Sequence, residues 1–177
     1  DTGAGGAGHS GGPQDPGLAA GRAGGVTTRM ILPGSANLFG GHAVTVKNVF
    51  GRTVMDMKFP GAPYGLKIAC GENPKRVYGS RGQAPSTRMG NIAGFRKAWI
   101  EASAYRDKLD AAARGEGEAP TRDLRLETLA GALNGDILVH NHCYRADEMA
   151  VMLDLGREFG FKITAFHHAV ESYKIAD

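Results

Sequence analysis

At 177 residues, 42% of them hydrophobic, the chain has material for about one ordinary domain with a sizeable core. The net charge of +3 is modest, and basic residues alternate with acidic ones, as in Arg122-Asp123-Leu124-Arg125-Leu126-Glu127, which argues against a nucleic-acid partner. No apolar stretch approaches the roughly 20 residues that cross a bilayer, so no membrane partner is expected.

The first 25 residues hold ten glycines with Pro13 and Pro16 and include His9, a composition that predicts a loop or disordered segment over 1–24. From 25 onward the pattern is that of one α/β domain reaching 177. Gly25 to Leu32 is β-branched and apolar and predicts a strand, broken by the glycine-bearing loop Pro33 to Gly41. That loop matches a phosphate cradle in composition only, because it lacks the lysine and hydroxyl pair of a P-loop. Val44 to Lys47 alternates as a strand, and Gly51 to Gly65 carries a short amphipathic piece with proline turns.

Gly65 to Gly71 predicts a further strand, interrupted by Lys67. An unpaired ammonium is costly to bury, so Lys67 requires a partner, a depressed pKa or a covalent modification, unless it points to solvent. Glu72 to Arg76 reads as a polar turn, and Glu72 is a second candidate ligand or base. Arg88 to Ala113 is a long helix pattern with Ile92, Phe95, Trp99 and Tyr105 on one side, after a capping Pro85-Ser86-Thr87. Asp123 to Leu133 predicts another helix, feeding the strand Asp136 to Val139.

Two histidine clusters, Val139-His140-Asn141-His142 and Phe166-His167-His168, stand where apolar strand runs end. Between them, Met149, Met152, Leu153 and Phe159 recur at helical spacing, giving strand, helix and strand with a step of about 26 residues, one βα unit. A single histidine beside an apolar strand is as often hydrogen-bonded scaffolding as a ligand. Two clusters at equivalent points of consecutive units favour half of a metal centre, since neutral imidazole is the commonest metal ligand. Cys70 and Cys143 are far apart, with none of the spacings of small secreted domains. Nothing demands an oxidising compartment, and cytoplasmic and periplasmic locations both stay open.

Gly24-Gly25-Val26-Thr27-Thr28, Pro33 to Gly41, the stretch from Leu66 through Gly71-Glu72-Asn73-Pro74-Lys75-Arg76-Val77-Tyr78-Gly79, and Thr87-Arg88-Met89-Gly90 together resemble the amidohydrolase superfamily, in the group of imidazolonepropionase and prolidase-type enzymes. The resemblance covers about Ala20 to Asp177, and its long Gly71 to Gly79 stretch is the most specific part. It implies a partial (β/α)8 TIM barrel holding one or two divalent ions, usually zinc. The implied activity is hydrolysis of carbon–nitrogen bonds in amides, cyclic amides or dipeptides through a metal-activated water. By the same resemblance His140 and His168 are metal ligands, with His167 competing for the second place. Lys67 corresponds to a metal-bridging carboxylated lysine. His142, on the same side of its strand as His140, would be the catalytic residue that contacts substrate or stabilises transition-state charge.

The chain departs from that pattern at both ends. The family's first-strand His-x-His pair has only His9 in its region, and the eighth-strand aspartate would lie beyond Asp177. Val170 to Ala176 predicts the start of another helix, and 177 residues fall short of the roughly 250 of a full barrel, so the chain is expected to be an internal part of a longer protein. The alternative is a non-catalytic barrel-derived or metal-binding fragment. Open strand edges predict self-association into a homo-oligomer.

Overall fold

The protein is described here by a computed structural model over residues 3–177. Helix α1 (Pro16–Ala23) follows a 3-10 turn at Ala7–His9, where the glycine content predicted loop. Asp15 caps it, its Oδ1 accepting from Gly17 N at 2.6 Å, and Pro16 is preset for the first turn. Leu18, 1% exposed, then joins a small core with Ala7, Val44, Val46, Val54 and Met57. Tertiary burial thus orders a segment whose composition opposes order.

Strands β1 (Thr28–Ile31), β2 (Phe39–Lys47), β3 (Gly65–Ala69), β4 (Leu138–Cys143) and β5 (Ile163–His168) form one curled sheet in that order. β1–β2 and β2–β3 pair antiparallel, whereas β3–β4 and β4–β5 pair parallel. β2 begins five residues before the predicted Val44, inside the glycine loop. Gly40 permits this because a Cβ there would stand 3.1 Å from the Gly34 carbonyl oxygen and 3.2 Å from Pro33.

The parallel strands are linked by helices, as parallel pairing requires. From β3 the chain runs through α2 (Glu72–Gly79), α3 (Arg88–Ala113) and α4 (Leu124–Asn134) to β4, and α5 (Ala146–Phe159) leads to β5. The polar turn expected at Glu72 to Arg76 is helical instead. Gly71 at φ 72° turns the chain, and Pro74 falls within the first helical turn, where a missing N–H costs nothing. Thr87 caps α3 and Asp123 caps α4, through Gly90 N and Leu126 N, both at 3.0 Å. After β5, the predicted helix start is a 3-10 turn at Ser172–Ile175. No described helix is long and apolar enough to cross a membrane.

Side chains alternate across each strand. Leu66 and Ile68 of β3 and Val139 and Cys143 of β4 enter one core with Phe95, Trp99, Leu129, Met149 and Met152 from the helices, where Trp99 stacks on Phe161 at 4.4 Å. Lys67, His140 and His142 consequently face the other side of the sheet. The two cysteines form a disulfide with Cα atoms 5.4 Å apart. Their 73-residue separation hid this pairing in the sequence; the parallel alignment of β3 and β4 creates it.

Candidate metal centre

Register brings the polar residues of three strands together. Lys67 pairs with His140 across β3 and β4, and His142 pairs with His167 across β4 and β5. The β4–β5 pairing shifts between Val139 and His140, and His140 Nδ1 and His167 Nε2 meet at 3.0 Å. Lys67, 5% exposed, donates its Nζ to the Pro33 carbonyl oxygen and to Ser35 Oγ, each at 3.0 Å. His142 is 1% exposed, with the His168 ring 4.5 Å and the Tyr144 ring 4.6 Å away.

The electrostatics keep these imidazoles neutral. Burial pushes the His142 pKa down to about 4, with His168, Lys67 and His167 adding repulsion. Burial also lowers His140, helped by His167 and Lys67, and lowers His167, helped by Lys67 and His168. Lys67 is lowered by burial alone. A neutral imidazole keeps the lone pair that a cation needs.

The donor set suits a divalent ion in two respects. His140 Nε2 and both ring nitrogens of His142 are buried without a hydrogen-bond partner among the described residues, which is costly unless something else satisfies them. Two imidazoles on one tetrahedral ion, with bonds of about 2.0–2.1 Å, place their nitrogens roughly 3.3 Å apart; His140 Nδ1 and His167 Nε2, now hydrogen-bonded at 3.0 Å, would reach that spacing by giving up their mutual bond. Lys67 fits such an ion only as a neutral amine or a carboxylated side chain, since an ammonium would repel it. Among the described residues, no three His, Cys, Asp or Glu side chains stand close enough together to hold a metal as they are.

Four of the residues singled out from sequence thus gather on one face: Lys67, His140, His142 and His167. His168 lies at the strand end with φ 66°, a left-handed conformation unusual for a non-glycine residue, and meets His142 and Tyr144 rather than His140. Glu72 is elsewhere engaged, with Lys75 at 3.0 Å and Arg88 at 3.5 Å. His9 lines a separate cavity with His42 and Thr128. Ser35 and the Pro33 carbonyl are the partners of Lys67 that sequence reading missed. Their only signal is a loop following β1, which says nothing of the lysine across the sheet.

The crystal structure of an amidohydrolase from Thermotoga maritima matches 99% of this chain with a TM-score of 0.90 at 38% identity. Over nearly its whole length this chain is similar to an amidohydrolase. Amidohydrolase tasK of Hapsidospora irregularis is likewise 37% identical over 182 residues, across 93% of this chain. The chain spans 45% of the Thermotoga amidohydrolase and 19% of tasK. No protein-family model matches it.

Proposed function

We propose that the chain supplies part of a (β/α)8 barrel, and part of the metal centre, in a metal-dependent hydrolase of the imidazolonepropionase and prolidase-type group. Its substrate is a small molecule with a carbon–nitrogen bond: an amide, a cyclic amide or a dipeptide. The observation that carries this reading is the gathering of Lys67, His140, His142 and His167 on one sheet face, with buried imidazole nitrogens left without partners among the described residues.

His140 and His167 would hold a divalent ion, zinc by the family resemblance, with Lys67 joining as a carboxylated side chain and His168 competing with His167. When bound, such an ion lowers the pKa of a water to near neutrality and polarises a carbonyl. Neutral His142 can donate one ring N–H to an oxygen that gains charge as its carbonyl is attacked. Ser35 and the Pro33 carbonyl fix the direction of Lys67, and the rings of Tyr144 and His168 limit movement of His142.

Zinc titration of the chelator-treated chain, followed through the imidazole nitrogen resonances, tests this reading. Zinc should move the His140 and His167 resonances. His140→Ala and His167→Ala should each weaken binding by more than the roughly 10–100-fold that accompanies loss of an outer partner. A loss confined to His168→Ala would transfer the second ligand to that residue. A folded chain whose histidines ignore zinc would instead support a non-catalytic barrel-derived module.

A further inference from the structure

Cys70 and Cys143 lie one residue beyond the aligned pair Ala69 and His142, and their Cα spacing of 5.4 Å is within the usual range for disulfides. The two sulfurs have different surroundings. Both belong to the helix-covered core, Cys143 at 0% and Cys70 at 3% exposed, but Cys70 also lines a cavity of about 240 Å³ with Gly71, Arg88, Met89, Asp147 and Glu148. Met89 is 81% exposed and Val151 41%, so the cavity opens to solvent between the first turn of α3 and the N-terminal half of α5. Of the two cysteines, Cys70 borders this cavity and Cys143 does not.

We propose that Cys70 is a thiol-exchange site, at which a low-molecular-weight thiol entering this cavity opens the Cys70–Cys143 bridge. The reagent thiolate bonds to Cys70 Sγ as the bond to Cys143 Sγ breaks; Cys143 departs as a thiolate and takes up a proton. A second thiolate then attacks the reagent sulfur of the mixed disulfide, releasing Cys70, which is protonated in turn. Two reagent thiols are oxidised to one disulfide while the bridge gains two electrons and becomes two thiols. Arg88 on the cavity wall is paired with Glu148, and Asp147 lies beside it, so the cavity offers the thiolate no unpaired cation and a neutral reagent thiol is favoured over an anionic one.

The bridge also clamps the strand ends that carry the histidines. Cys70 N donates to the His142 carbonyl and Ala169 N to the Cys143 carbonyl, both at 2.9 Å, so β3, β4 and the end of β5 are tied at one point. Opening the bridge releases this point. The inference is independent of metal binding, because neither the exchange nor its readout involves the imidazoles.

Peptide mapping of the full 177-residue chain, purified without reductant and alkylated before digestion, should yield Cys70 linked to Cys143; alkylation of both cysteines would overturn the proposal. Brief native treatment with limiting β-mercaptoethanol and an acid quench should leave the adduct on Cys70 and Cys143 as a thiol. An adduct on Cys143, or no opening without denaturant, would overturn it. Hydrogen exchange at the Cys70 and Ala169 amides should become severalfold faster on reduction of the wild-type chain, and unchanged exchange would refute the clamp. The Cys70→Ser/Cys143→Ser chain should exchange like the reduced protein and ignore thiols, while the wild-type comparison stands whether or not that variant folds.

Discussion

Lys67 has two neutral oxygen acceptors, at 3.0 Å each, and forms no ion pair with a carboxylate among the described residues. Burial without a counter-charge is a net cost that neutral acceptors only partly offset. Lys67→Met should therefore raise the stability of the metal-free chain by about 1 kcal/mol or more while abolishing zinc binding. A urea midpoint that falls, with unchanged slope, would contradict the first half. His142 supplies a pH test. Between pH 6.5, its ordinary pKa, and about 4, the unfolded chain binds a proton that the folded chain refuses. The His142 contribution is thus fully present above pH 6.5 and is lost as pH falls toward 4, by about 3 kcal/mol in total. Chemical denaturation of the chelator-treated chain across that range should show the loss, and His142→Phe should flatten it.

At the scale of elements, Gly71 determines how β3 passes into α2. Its φ of 72° with ψ of −132° is open to glycine, and a Cβ there would run into the Glu148 carboxylate. That carboxylate is held by Arg88 at 2.5 Å, and so cannot retreat without breaking an ion pair between the starts of α3 and α5. Gly71→Ala should cost about 1–3 kcal/mol, seen as a lowered thermal midpoint. A shift within error would mean that the turn accommodates the methyl group. The long helices were readable from sequence because they are strongly periodic and capped: α3 begins at the predicted Arg88 and ends at the predicted Ala113. Helices α1 and α2 were not readable. The first is held by burial of Leu18 against β2, and the second begins at a glycine turn whose need for positive φ leaves no periodic mark.

For the whole molecule, β1 and β5 are the outer strands of the sheet, and Val170 and Tyr173, just past β5, are 66% and 74% exposed. Unpaired strand edges beside apolar surface favour intermolecular pairing. Sedimentation of the isolated chain should therefore show association that grows with concentration; a monomer at every concentration would contradict this. The sequence by itself determined the α/β class, the βα step and the residues capable of binding a cation, because periodicity, caps and strand-end histidines are local properties. It also carried the amidohydrolase resemblance. Only the tertiary structure decided that His167 meets His140 while His168 meets His142, that Ser35 and the Pro33 carbonyl hold Lys67, and that Cys70 joins Cys143. Each of those contacts depends on strand register, a pairing shift or a loop folding over a neighbouring strand, and such long-range alignments leave no trace in the order of nearby residues.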